Sequence, residues 1–145
     1  METSELISML ISSCVPILVG YVYYSKNLAG KAWRNIFTPK EKHVKLSSKI
    51  TLIIVSFIMS FLLSFFLLEF NNGRGQEGEF DTFAHGVWHG CFLAIIIAMP
   101  ITILNGLYEF KKIKILLINL LYWILSLGLM GGIMDAMNHW PNQIT

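Results

Sequence analysis

Four long apolar runs constrain this chain more than any other feature of its sequence. They lie at 6–24, 50–68, 84–107 and 115–137, and each approaches the ~20 residues that a helix needs to cross the hydrocarbon core of a bilayer. The run at 50–68 contains no charged residue, glycine or proline. Hydrophobic residues make up 54% of the chain and charged residues only 14%, which is not the composition of a soluble domain. The sequence therefore predicts an all-α polytopic membrane protein, in which one transmembrane domain over residues 1–145 forms a four-transmembrane-helix bundle.

Residues that flank the runs extend them into predicted helices. Thr38-Pro39-Lys40-Glu41 reads as a capping box with proline at the first helical position, so the second helix is expected to begin near Pro39. Pro16 and Pro100 lie inside the first and third runs and predict a kink or especially tight packing there. The predicted helices occupy about 6–24, 39–70, 82–107 and 114–138.

The distribution of charge predicts the orientation of the bundle. Ten of the eleven basic residues fall in the loops at 25–49 and 108–114, and Arg74 is the exception. The loop at 70–82 is acidic instead. By the positive-inside rule, the basic loop 25–49 is cytoplasmic, the acidic loop 70–82 is outer, and both termini are outside. Because these lysines flank membrane helices, topology and anionic lipid headgroups account for them, and no nucleic-acid partner is expected.

Two pairs of potential ligands stand at the outer ends of the third and fourth helices. His85 with His89, and Asp135 with His139, are each four residues apart and so share one face of a helix. The two helices should be antiparallel neighbours because the loop between them is short. At ~1.5 Å of rise per residue, His89 should lie level with Asp135, and His85 with His139. Glu69, at the outer end of the second helix, could join the cluster.

Three interpretations of this cluster stay open. Histidine with carboxylate suits a divalent metal such as zinc, whereas a histidine hydrogen-bonded to Asp135 could handle protons. The same residues could equally be solvated or structurally paired helix ends. The corresponding functions are binding of a metal ion or small polar ligand, a structural or partner-binding subunit with incidental histidines, and a membrane metal-dependent enzyme. We favour a non-enzyme and assign no catalytic residue; Cys14 and Cys91 are expected to be separate thiols rather than a disulfide.

Several short segments resemble the DUF1761 family of small bacterial membrane proteins. The resemblance rests on Gly20-Tyr-Val-Tyr-Tyr24 with Leu28-Ala-Gly-Lys-Ala-Trp33 in the first half of the chain, and on Asn105-Gly-Leu-Tyr-Glu109, Ile118-Asn119, Gly131-Gly-Ile133 and Trp140 in the second. It implies a four-helix membrane fold in the bacterial inner membrane, and it implies no activity. The two ligand pairs are not part of the resemblance.

The fourth helix is also rich in small residues. Gly128, Gly131 and Gly132 would let another helix backbone approach closely, which favours helix association in lipid. Because four short helices enclose little internal volume, we expect a homo-oligomer, with a dimer favoured. Its expected contacts are the glycine-containing faces.

Overall fold

A computed structural model describes residues 3–31, 46–71 and 82–138 of the chain. This part is 91% helical and contains no β-strand. Its four long helices are α1 (Thr3–Tyr23), α2 (Leu46–Asn71), α3 (Phe83–Tyr108) and α4 (Ile113–Asn138). Each is long and apolar enough to cross a membrane. The predicted all-α architecture with four membrane-spanning helices is therefore confirmed. The predicted start of the second helix near Pro39 lies outside the described residues.

The bundle is built around α4. This helix packs most extensively on α3 and then on α1, while α2 packs mainly on α1 and has little contact with α3. The chain passes up and down, so one end of the bundle holds the starts of α1 and α3 and the ends of α2 and α4. We call this the site end, because His85 and Asp135 lie there. The opposite end, where Lys26, Lys49 and Lys111 lie, is the basic end.

The interface between α3 and α4 consists of backbone in direct contact with backbone. A Cβ atom added to Gly86 would collide with the carbonyl of Gly131, and one added to Gly90 would collide with the carbonyl of Leu127. Glycine at these positions lets the two helices approach closely, which is how helices associate in lipid. In the observed register both Gly86 and Gly90 lie against the backbone of α4.

Serine side chains join α1 to its neighbours in the half of the bundle nearer the site end. The hydroxyl of Ser12 donates a hydrogen bond to the carbonyl of Met130 on α4, at 3.4 Å. The hydroxyls of Ser13 and Ser64 lie 3.2 Å apart and connect α1 to α2. These serines are fully or almost fully buried. Small side chains and short polar contacts therefore close this half of the bundle.

The third helix is irregular just before Pro100. Residues Ala94–Ala98 form a π-helical segment, in which the N–H of Met99 bonds to the carbonyl of Ala94, five residues back. A proline ring clashes with the carbonyl four residues before it, here that of Ile96. The wider π turn accommodates the ring without ending the helix. The disturbance predicted at Pro100 therefore takes the form of a π turn.

Candidate metal centre

The first turn of α3 is fixed by the residue that precedes it. Thr82 has extended backbone angles (φ −120°, ψ 155°), and its side-chain oxygen accepts a hydrogen bond from the backbone N–H of His85 at 3.3 Å. This is N-capping, which satisfies an amide that would otherwise lack a partner within the helix. His85 is thereby held in the first turn, at the site end of the bundle.

Asp135 on α4 is the buried partner of His85. Its residue surface is only 5% exposed, and its Oδ2 lies 3.2 Å from Nδ1 of His85. A buried carboxylate is costly unless it is hydrogen-bonded or paired. The space for it comes from Gly86, because a Cβ there would lie 2.9 Å from the Cβ of Asp135. The glycine beside His85 therefore makes the approach of the carboxylate possible.

His89 lies one turn further along α3 and completes the cluster. Its ring centroid is 4.1 Å from that of His85. On its other side the edge of the ring meets Phe70 of α2, with the centroids 5.4 Å apart and the planes nearly perpendicular. Both histidines are partly buried. Three of the bundle's helices thus contribute to the environment of this imidazole.

The side chains of His85, His89 and Asp135 together form a group that could hold a metal ion. One ligand atom from each of His85, His89 and Asp135 can be chosen so that all three lie within 4.8 Å of one another. Two ligands held about 2.0 Å from a tetrahedral zinc ion lie about 3.3 Å apart, which is close to the 3.2 Å between Nδ1 of His85 and Oδ2 of Asp135. The same 3.2 Å separation is also that of a hydrogen bond between the two side chains, so it accords with a metal site without requiring one.

The structure brings together three of the five residues that the sequence proposed. His139 lies outside the described residues. Glu69 is exposed near the end of α2 and does not belong to the three-residue group. The expected level of the residues also differs, since Asp135 forms an ion pair with His85, whereas His89 was expected at its level. The reason is the glycine interface, which sets Gly86 against Asp135 and so shifts α3 by one turn relative to the estimate.

Neither cysteine takes part in this cluster, and both are free thiols. The sulfur of Cys14 points back along its own helix to the carbonyl of Leu10, at 3.6 Å. Cys91 faces α4, with its sulfur 3.9 Å from the carbonyl of Ile124. The sequence favoured two buried thiols over a disulfide; Cys14 is exposed instead, and Cys91 is partly buried.

Sequence reasoning missed the residues that support the cluster: Phe70, Thr82 and Gly86. For Gly86 a signal was present. Each histidine of α3 is followed directly by a glycine, as His85-Gly86 and His89-Gly90. A glycine repeated every four residues marks a helix face that packs closely, so the histidines beside it had to lie at the margin of a helix–helix contact. The aromatic contact of Phe70 had no comparable signal.

Comparison with known proteins identifies a family but no characterised relative. The family model described as "Protein of unknown function (DUF1761)" matches residues 7–134. That span covers most of the chain; His85 and His89 fall inside it, whereas Asp135 lies one residue beyond its end. No curated protein and no solved structure matches the chain.

Proposed function

Because the chain belongs to the DUF1761 family, for which no function is known, we propose its function from the site: it is a membrane protein that binds a divalent metal ion, zinc above all, at the site end. His85, His89 and Asp135 are the proposed ligands. The observation that supports this is the convergence of their ligand atoms to within 4.8 Å. His139 is the proposed fourth ligand, with water as the alternative, since zinc sites that bind exchangeable ligands keep an open position.

His89 is the residue that separates metal binding from simple helix pairing. The contact between His85 and Asp135 joins α3 to α4, and a structural role accounts for it without a metal. His89 is not a member of that ion pair, yet its ring lies 4.1 Å from the ring of His85. A metal site requires a third ligand near the pair, whereas a helix pair does not. Metal binding should therefore depend on His89 more than packing does.

Zinc content of the purified protein is the direct test. We expect about one zinc per wild-type chain after equilibration with zinc and removal of excess, and strong loss of zinc in His89→Ala. His43→Ala, which removes a histidine of the loop 25–49, is the matched control and should retain zinc. Zinc at 100 times its Kd should also stabilise the wild type by about 2.7 kcal/mol. A wild-type protein without bound zinc, or full zinc binding by a folded His89→Ala variant, would contradict the proposal.

A second candidate function is proton handling by the pair of His85 and Asp135. It is favoured by the direct 3.2 Å contact between an imidazole and a buried carboxylate, because histidine titrates near neutral pH. Two variants, His89→Ala and Asp135→Asn, distinguish the two candidates. Loss of zinc with an unchanged dependence of stability on pH between 5 and 8 supports the metal. A pH dependence that disappears in Asp135→Asn, in a protein that binds no zinc, supports the proton.

We also propose that the protein is a binding protein rather than an enzyme, because the sequence has no serine elbow, phosphate loop or Cys-x-x-Cys motif.

The proposed location of the protein is the bacterial inner membrane, with the basic end cytoplasmic and both termini outside. Ten of the eleven basic residues fall in the sequence segments 25–49 and 108–114, which the positive-inside rule assigns to the cytoplasmic side. Labelling of Phe110→Cys by a reagent that does not cross membranes tests this orientation. Reaction in intact cells would contradict it.

The dimer predicted from the sequence remains a proposal, but the structure restricts its interface. Gly128, Gly131 and Gly132 are buried inside one chain, where they face α3. They are therefore not available to a second copy. Chemical crosslinking in the membrane would test the dimer, and recovery of monomer alone would contradict it.

A further inference from the structure

A lateral groove opens between α1 and α2 in the half of the bundle nearer the basic end, and we call it the α1–α2 groove. Its cavity volume is about 640 Å³, and α4 forms its floor. The lining is mostly apolar, as in Ile17, Leu52, Val55, Met59 and Trp123. The groove begins where the serine contacts between α1 and α2 end. In this half the two helices are separated by open space.

The groove faces the region that lipid occupies around a membrane protein. Leu52 is 67% exposed and Val55 is 49% exposed, although both belong to a membrane-spanning helix. Two hydroxyl groups of the lining, those of Ser56 and Ser60, belong to α2. An apolar groove that opens to the bilayer has the chemistry of a site for an acyl chain.

Positive charge stands at the mouth of this groove. Lys49 precedes Leu52 and Ile53 by three and four residues, so it lies on the groove-lining face of α2, one turn nearer the basic end. Lys26 lies at the same end of the bundle, in the turns that follow α1. Both lysines are exposed. Lys49 is thus at the level where a headgroup would lie if its acyl chain entered the groove.

We propose that the α1–α2 groove binds an anionic phospholipid of the bilayer, with one acyl chain in the groove and the phosphate beside Lys49. Lysines near a membrane surface attract anionic headgroups, and Tyr21, 84% exposed at the same end, has the interfacial position that tyrosine favours. A second copy of the chain fits this groove less well, because its own basic end would be brought against the same lysines if the copies lay parallel in the membrane. This proposal is independent of the metal centre.

Native mass spectrometry of the purified full-length protein can test the proposal. The probes are phosphatidylglycerol and phosphatidylcholine with identical acyl chains, each added to the delipidated protein in detergent. We expect phosphatidylglycerol to be retained at least about fivefold more strongly, which corresponds to one effective lysine contact. Lys49→Gln should lower its retention to that of phosphatidylcholine. Ser56→Phe, which fills the groove with a ring, should reduce retention of both lipids.

The matched control is Lys112→Gln. It removes the same charge from the same end of the molecule, but Lys112 lies in the turn between α3 and α4 and not on either helix that borders the groove. It should leave the retention unchanged. Equal retention of the two lipids, an equal loss in Lys112→Gln and Lys49→Gln, or no effect of Ser56→Phe would overturn the proposal. The proposal would also be overturned if the protein formed a dimer without lipid and Ser56→Phe dissociated that dimer, because a second copy would then occupy the groove. Circular dichroism must show that each variant keeps its helix content.

Discussion

The two ends of the bundle are held together in different ways. Towards the site end, glycine and serine let the helices touch, so that the backbones of α3 and α4 are in contact and serine hydroxyls join α1 to α2. Towards the basic end, tyrosine side chains bridge α4 and the end of the first helix by hydrogen bonds. The hydroxyl of Tyr24 donates to Oδ1 of Asn119 at 2.9 Å, and that of Tyr122 donates to the carbonyl of Pro16 at 3.0 Å.

This difference explains why each end suits a different ligand. Close backbone contact leaves no freedom to Asp135, which is 5% exposed and held against His85. A rigid carboxylate beside two imidazoles suits a small ion with strict geometry. The open half has room for a long flexible molecule but fixes few polar groups around it. The packing of small residues therefore determines where polar chemistry is preorganised in this fold.

The largest expected effect is the loss of stability in Gly90→Ala, which adds one methyl group near the site end. Gly20→Ala adds the same group near the basic end and serves as the comparison. In Gly90→Ala the new Cβ would collide with the Leu127 carbonyl and approach Gly128 Cα at 2.8 Å, so α3 and α4 must separate. We expect a loss of about 3 kcal/mol in the free energy of unfolding. In Gly20→Ala the new Cβ meets the ring of Tyr122 at an ordinary 3.5 Å, and alanine is the better helix former. That variant should stay within about 1 kcal/mol of the wild type. Unfolding in mixed micelles measures both, and equal effects would remove the proposed distinction between the ends.

A smaller effect is expected from the hydrogen bonds between helices. Ser13→Ala and Ser64→Ala each remove one side of the contact between α1 and α2. A double-mutant cycle should give a coupling energy of about 0.6 kcal/mol, the usual value inside a membrane. The corresponding cycle at the basic end uses Tyr24→Phe and Asn119→Ala, and should give a similar energy. The two ends then differ in close packing and not in hydrogen bonding. A coupling several times larger at one end would show that polar contacts also distinguish them.

The last effect is a change of stability that appears only at alkaline pH, and it is confined to the basic end. Burial, with smaller contributions from Tyr122 and Tyr23, raises the pKa of Tyr24 to about 12 from 10.0. Below pH 10 the hydroxyl is protonated in both folded and unfolded chains, so its contribution to stability is fully present. That contribution is lost as the pH rises from about 10 to about 12, because the unfolded chain releases the proton first.

Tyr24→Phe should therefore weaken the decline of stability between pH 9 and pH 11. Tyr108→Phe serves as the control, because that tyrosine is 82% exposed. Thermal unfolding followed by circular dichroism across this range measures the effect. Identical pH profiles for wild type and Tyr24→Phe would show that the buried hydroxyl does not contribute.

The sequence predicted the number and type of helices because those follow from local composition. A run such as 50–68 can cross a bilayer only as a helix, whatever surrounds it. The candidate ligands were also found from local spacing, since residues four apart share a helix face. The register of α3 against α4 could not be predicted from spacing within one helix. A rise of ~1.5 Å per residue gives a depth only when the starting level of each helix is known, and the estimate placed His89 where His85 lies.

Sequence alone thus determined that this protein is a four-helix membrane protein with histidine and aspartate near one end of the third and fourth helices. Those features depend on hydropathy and on periodicity within single segments. Tertiary structure decided that Asp135 is buried against His85, that Phe70 contacts His89, and that the glycines of α4 are used inside the chain. The physical reason is that these contacts join different helices, and their alignment depends on how closely two backbones can approach.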